Sequence, residues 1–272
     1  KIKKVIWAEK KLCLKKRTEI LLAKFFHFLI IDKIKEYEDK IDSGVIGEFE
    51  ILKRDSLNGK VEGYLYTKND NVIGPIPELI GENKRVWMRL SPKEIEGSYE
   101  FIKFATGKVG VVGLGLGYVA QELAKKQDVE KVVVYEISKD VVELYKRNFG
   151  ENEKIEIIVG DAFNASKDSF DFFYTDIYEY KLSMQVVEDY IKLNKLHDIK
   201  EYSFFGMEHF LLSCKYDEIV WVYVPETWMA MCKDLSEALD QSGYIKFYEQ
   251  LDEELVSKVL AGFKEVLNQG ME

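Results

Sequence analysis

Along this chain the spacing of hydrophobic positions switches repeatedly between helical and extended periods, and the switches predict the elements. Leu21, Leu22, Phe25, Leu29 and Ile30 recur at intervals of three and four, which predicts a helix from Thr18 to about Asp42. From Gly44 to Leu90 the period shortens. Glu48–Lys53 and Lys60–Tyr66 alternate, Asn58-Gly59 between them is a hairpin signal, and Val86–Leu90 reads as a further short strand. Gly74-Pro75-Ile76-Pro77 reads as a loop. The segment predicts a small antiparallel β extension, either a pocket wall or plain structural cover. Ser91-Pro92-Lys93-Glu94 then has the form of a helix start, with serine as cap, proline at the first position and an acid at the third. That helix runs to about Thr106 and turns Ile95, Tyr99, Ile102 and Phe104 toward the core.

From Val109 the pattern alternates between short, uncharged β-branched runs and amphipathic stretches, as buried parallel strands and crossover helices do. Strands are predicted at Val109–Val112, Lys131–Glu136, Ile155–Val159 and Phe170–Asp176, with helices after Gly117 and from Ser138 to Phe149. Leu182–Leu196 reads as a helix. Tyr202–Glu208 is either a fifth strand or the start of a helix through Cys214. Glu218–Pro225 reads as a strand, Thr227–Gln241 as a helix closed by Gly243, Tyr244–Gln250 as a strand and Asp252–Asn268 as a terminal helix. The expectation is an α/β fold with a doubly wound, mostly parallel sheet over 91–272, preceded over 1–90 by a helical N-terminus and the β-rich extension. No internal repeat or low-complexity segment interrupts it.

Composition narrows the function. With 272 residues, 47% of them hydrophobic and 32% charged, the chain can bury a large core. Its net charge of −9 argues against generic nucleic-acid binding, which needs a basic field. Lys1–Arg17 is locally basic, with eight Lys or Arg, and reads as a solvated helix or tail. The apolar run Ile20–Ile31 is broken by Lys24 and His27 and is too short to span a bilayer. The three cysteines, Cys13, Cys214 and Cys232, are odd in number and lack metal-ligand spacing, so they read as incidental thiols of a reducing compartment and no metal is expected. The chain opens on lysine, so its initiator has been lost, and no signal peptide is read; a cytoplasmic location is expected. The apolar face of the first helix offers a homodimer contact. His27, His197 and His209 read as packed rather than catalytic.

Candidate chemistry lies at the ends of the strands. Gly113-Leu114-Gly115-Leu116-Gly117 joins the first parallel strand to a helix, a turn that lets a ligand approach backbone N–H groups at the positive end of the helix. Glu136 follows 19 residues after Gly117, at the end of the next strand, where a carboxylate can accept both ribose hydroxyls of a nucleoside. The third strand ends in Gly160-Asp161 and the fourth in Asp176. A dinucleotide fingerprint needs a further glycine where Tyr118 stands, which disfavours an NAD-linked oxidoreductase. In such sheets the acceptor side lies beyond the fourth strand, at Asp176, Tyr178, Glu179 and Tyr180. An acid there can bind an amine or take a proton, and the tyrosines can wall the pocket or hold a cation. Asp176-Ile177-Tyr178 lacks the prolines of base-flipping amine methylases, so a nucleic-acid base is not the favoured acceptor.

Over about residues 105–180 the chain resembles the class I S-adenosylmethionine (SAM)-dependent methyltransferases. The resemblance implies SAM as cofactor. It implies that Gly113, Gly115 and Gly117 face its amino-acid part, that Glu136 with Ile137 holds the ribose side, and that Asp161 with Ala162 lies by the adenine. Asp176 borders the cofactor too, and with Tyr178 and Glu179 forms the catalytic candidates. The helix before the first strand touches the cofactor's methionine end in that family, which directs attention to Tyr99. Many members carry an acid where Val111 stands. Tyr174–Glu179 also looks like the Asp-x-x-Asp signature of the spermidine synthase-like branch, with glutamate second, but that branch has an aspartate where Leu116 stands. The implied activity is methyl transfer to an acceptor the sequence does not name, a small molecule first and an exposed RNA or protein group second. Aminopropyl transfer and a non-catalytic binding protein of the same fold are the alternatives.

Overall fold

The computed structural model describes residues 30–54, 61–68, 74–178 and 180–269. The basic N-terminus, Cys13, His27, the Asn58-Gly59 turn and Glu179 lie outside them. Residues 30–40 form helix α1. Its buried positions Ile30, Ile34 and Tyr37, with Ile41 just past its end, follow the helical period. Four strands then form an antiparallel sheet in the order β1 (Gly44–Ile46), β2 (Phe49–Arg54), β5 (Ile76–Ile80), β6 (Val86–Arg89). A separate two-stranded ladder pairs β3 (Val61–Glu62) with β4 (Thr67–Lys68).

The segment read as a loop at Gly74–Pro77 is in part strand, because Ile76 and Pro77 pair with Arg54 and Lys53 in β5. Pro77 contributes no N–H but its carbonyl accepts from Leu90 N at 3.0 Å, so its place in the ladder is kept by the acceptor alone. Glu78, fully buried at the centre of this sheet, is held by Arg54 Nε and Arg89 Nε, each at 2.5 Å. Burying a carboxylate is tolerated there because both of its oxygens meet a guanidinium.

Helix α2 (Pro92–Phe104) leads into a five-stranded sheet. Its strands are β7 (Gly107–Val112), β8 (Val129–Glu136), β9 (Ile155–Val159), β10 (Ser169–Thr175) and β11 (Asp198–Phe204), in the order β11-β10-β7-β8-β9 with every pair parallel. Helices α3 (Tyr118–Lys125), α4 (Lys139–Phe149) and α5 (Gln185–Leu196) make the crossovers. The chain leaves β7 toward β8 and β9 on one side and returns for β10 and β11 on the other, so the strand order reverses beside β7, where such folds bind ligands.

The uncertain region after α5 resolves into both alternatives in succession: β11 ends at Phe204 and α6 (Met207–Leu212) begins past Gly206. The strand expected at Glu218–Pro225 is absent. α7 (Tyr216–Ile219) and a loop replace it, leaving Trp221 69% exposed, so its β-branched run finds no ladder to join. The strand expected at Tyr244–Gln250 is a 3₁₀ turn at Tyr244–Phe247 and a single bridge from Tyr248 to Tyr66. Among the described residues no terminal antiparallel pair therefore closes the sheet. Its edge is covered by α8 (Glu226–Ser242) and α9 (Glu253–Leu267).

The covering is aromatic. Phe263 of α9 stacks against Phe204 at a centroid distance of 5.9 Å and meets Trp228 edge-on at 5.4 Å, and all three are essentially buried. Phe101 of α2 stacks on Tyr174 of β10 at 4.2 Å. Not every expected core position of α2 is inside. Ile95 and Phe101 are buried, whereas Tyr99, Ile102 and Phe104 are half-buried, and the acids Glu94, Glu96 and Glu100 take the inner face. Phe263→Ala should cost about 3–5 kcal/mol in urea unfolding without changing the slope, as expected of an emptied aromatic core site.

Candidate active site

The carboxyl ends of β7, β8, β9 and β10 converge on a cavity of about 380 Å³, within the range of small-molecule sites. Its floor is the turn after β7. Gly113, Gly115 and Gly117 all have positive φ (97°, 51° and 81°). A Cβ on Gly113 would sit 2.4 Å from the Asp176 carbonyl oxygen, and one on Gly115 would sit 2.4 Å from Met88 Sδ. Only glycine fits, for reasons of space as well as torsion. Above the turn the Leu116 N–H donates to Met88 Sδ at 3.0 Å. A thioether is a weak acceptor, so this N–H stays available to a better one.

Glu136 is 6% exposed and forms the wall beside the turn. Its two oxygens accept from Leu114 N at 2.9 Å and Ser138 N at 2.8 Å. These bonds fix the carboxylate while each oxygen keeps acceptor capacity for a hydroxyl. Ile137, next to it, is 67% exposed although apolar. Asp161 caps the turn after β9, accepting from Phe163 N at 3.0 Å and from Asn164 Nδ2 at 2.6 Å, and lines the cavity with Ala162. Gly113, Gly115, Glu136, Ile137, Asp161, Ala162, Asp176 and Tyr178 thus share one cavity. Gly117 stands behind its rim against the Tyr145 ring, where it lets α3 begin.

At the far end lies a carboxyl pair. Asp176 follows β10, with its N–H bonded to Val112 O at 2.9 Å. Glu94 reaches the same cavity from the first turn of α2, is 5% exposed, and accepts the Tyr180 hydroxyl at 2.6 Å. Burial, with the Glu94 charge added, holds the Asp176 carboxyl well above the ordinary carboxylate range. Burial raises Glu94 to about 7. With no cation among the described residues lowering either acid, the pair holds onto a proton at neutral pH.

Glu94 was legible only as a capping acid. Its companions Glu96, Glu100 and Glu208 are buried as well, each pushed up to about 7 chiefly by burial. Tyr99 does not line the cavity; Glu94, five positions earlier, takes that role. Tyr178 contributes its ring to the wall, while its hydroxyl donates away from the cavity to Asp189 at 3.0 Å. His197 is structural, packed among Tyr135, Phe170 and Phe173, with Nδ1 accepting from Asp168 N at 3.1 Å. Arg85, Trp87 and Met88 of the extension also line the cavity, so the extension supplies a wall. Among the described residues no helix is long and apolar enough to cross a membrane.

Sheet order, glycine turn and acid-tipped strands together define a class I methyltransferase-type domain. Residues 100–176, from the end of α2 to Asp176, match the family described as methyltransferase small domain. No curated protein sequence matches the chain. Among solved structures it is similar to spermidine synthase from Thermotoga maritima (17% identity, TM-score 0.36, covering 58% of this chain and 52% of that one). It is also similar to a SAM-dependent methyltransferase from Leishmania major (18%, TM-score 0.33, 41% and 45%) and to phosphoethanolamine N-methyltransferase 1 from Haemonchus contortus (17%, TM-score 0.32, 38% and 23%). The chain thus spans between about a quarter and a half of the length of these structures.

The raised acids give the site a pH signature. An unfolded chain releases the Glu94 proton above about pH 4, whereas the folded chain keeps it to about pH 7. The folded state binds more protons across that window, so stability falls as pH rises through it. Glu94→Gln keeps an acceptor for Tyr180 but removes the titration. It should make that fall shallower, the other raised acids keeping the rest of it, and exceed wild type by roughly 1–3 kcal/mol in urea unfolding near pH 8.

Proposed function

We propose that this protein is a SAM-dependent transferase that methylates a nitrogen of a small molecule, with Asp176 and Glu94 as the groups that receive the amine. The carrying observation is the carboxyl pair at the far end of the cavity, raised by burial, with no cation among the described residues lowering either acid.

The residues suit the cofactor. The turn at Gly113–Gly117 leaves room for a ligand at backbone N–H groups, and Glu136 is preset to accept the hydroxyls of a ribose. Exposed, apolar Ile137 and the capped Asp161 suit the flat face and the exocyclic amine of an adenine. When bound, SAM supplies a sulfonium-activated methyl carbon.

The chain's own work is to place and deprotonate the acceptor. An ammonium entering beside Asp176 and Glu94 gives up a proton to the pair, because an amine attacks only through its free lone pair. The opposite charges draw the amine in, while the buried walls exclude water and fix its approach. Tyr180 donates to Glu94 and so leaves Asp176 as the freer acceptor for an incoming N–H. The rings of Tyr178 and Tyr180 favour a cation beside their faces.

Aminopropyl transfer is the second reading. It is favoured by the spacing of acids at Asp176 and Glu179 in the sequence. It is disfavoured by apolar, buried Leu116 itself.

A panel of primary and secondary amines, each offered with SAM and with decarboxylated SAM, separates the two through the nucleoside released: S-adenosylhomocysteine for methyl transfer, methylthioadenosine for aminopropyl transfer. With the best amine, Asp176→Asn should bind SAM within about three-fold of wild type while transfer falls on the order of 10²-fold or more. Undiminished transfer by Asp176→Asn would rule out the role given to the carboxyl pair.

A further inference from the structure

Beside the main cavity lies a second chamber of about 230 Å³, and the two share Tyr178, Tyr180 and Phe205 as walls. The second chamber holds none of the glycine turn, Glu136 or Asp161, so it is not part of the nucleoside site. Its position, across the aromatic wall from Asp176 and Glu94, is where the rest of an acceptor extends once its nitrogen sits at the carboxyl pair.

Lys93 and Glu94 are neighbours in the first turn of α2. Successive helical residues project about 100° apart, and here Glu94 lines the first chamber while Lys93 lines the second. Lys93 is half-buried, and its ammonium stands over the Tyr180 ring at 4.2 Å. Among the described residues it has no hydrogen bond and no ion pair. Glu62 and Glu249 attract it without a hydrogen bond; Glu249 lines the same chamber but is exposed, with its carboxylate accepting the Thr67 hydroxyl at 3.3 Å. Burial lowers the Lys93 pKa, the mark of an ammonium that has lost water without gaining a counter-ion.

The same chamber is lined by His209, whose Nε2 is engaged by the Glu249 carbonyl at 2.6 Å, and is rimmed by exposed Lys181. The positive end of α2 points to the same place, since Lys93 is its second residue. The first chamber carries the Asp176 and Glu94 carboxyls, while the second carries Lys93 and Lys181 against one acid, Glu249, so the two neighbouring chambers differ in sign.

We infer that the second chamber is an anion subsite: the acceptor is an amine whose far end carries a carboxylate or a phosphate, held by Lys93. This rests on the amine reading above for the acceptor's other end, while the anion subsite is testable without it. On binding, the anion takes the free ammonium at Lys93, and the two ends orient the acceptor with its nitrogen toward the cofactor side. Lys93 is a specificity-determining group and takes no part in bond making.

The test uses the full chain loaded with S-adenosylhomocysteine and ligand-observed NMR titrations of hexylamine, hexanoate, 6-aminohexanoate and 6-aminohexyl phosphate. Retained S-adenosylhomocysteine binding reports that each variant is folded. The inference expects both amino-anions to bind about five-fold or more tightly than hexylamine in wild type, a gain lost in Lys93→Met and restored in Lys93→Arg. Tighter binding of the phosphate or of the carboxylate tells which anion is the natural end.

Hexanoate, which has no amine, separates the two claims. If it binds to wild type and Asp176→Asn but not to Lys93→Met, the subsite stands even where hexylamine fails to bind, a failure that counts against the amine reading alone. Hexanoate and amino-anions that bind no better than hexylamine, or equally well to Lys93→Met, would overturn the subsite.

Discussion

The structure depends on how closely the backbone at the end of β7 approaches the end of β10. A Cβ at Gly113 would meet the Asp176 carbonyl oxygen at 2.4 Å, and the Asp176 N–H is bonded to Val112 O at 2.9 Å. The two strand ends are in contact through backbone alone. That contact places the glycine turn and Asp176 at one cavity, and the same turn presents Leu114 N to Glu136 from the neighbouring strand. Any side chain at Gly113 separates these groups, and the cavity loses its floor and its acceptor wall together. The approach also lies beside the point where the strand order reverses, so topology and local sterics select the same place.

Around that floor the protein accumulates buried acids instead of balancing them. Glu78 is neutralised by two arginines, whereas Glu94 and Asp176 meet each other and tyrosine hydroxyls. Burying unpaired carboxyls costs stability above neutral pH, and a fold keeps such groups where their proton affinity has a use. The aromatic packing of α8 and α9 on β11, through Trp228, Phe204 and Phe263, supplies apolar burial that offsets this cost. Lys93, one residue from Glu94, is the positive counterpart facing the other chamber.

The parallel core was legible because its signals are local. A β-branched run, a turn that only glycine allows, and an acid at the next strand end each follow from a few adjacent residues, as at Val109–Gly117 and Lys131–Glu136. The C-terminal half was less legible, because Glu218–Pro225 and Tyr244–Gln250 have strand-like composition but no sheet edge to join; α8 and α9 cover it, and tertiary context overrides propensity. Pro77 misled in the other direction, since its strand needs only its carbonyl. Glu94 was hidden by a rule that holds: an acid at the third helical position compensates the helix dipole, and nothing in the sequence alone tells that this one is buried against Asp176. Tyr178 presents its ring to the cavity, and the direction of its hydroxyl is set by Asp189 on the following helix, which no local sequence signal gives.

The central claim is that the glycine turn is a SAM site. Calorimetric titration of SAM into the full chain and into Gly115→Arg tests it most directly, because arginine at Gly115 fills the space where a ligand meets the turn. The account predicts binding at micromolar concentration to wild type, abolished in Gly115→Arg while its thermal unfolding remains cooperative. Equal binding by both proteins, or no binding by wild type, would contradict it.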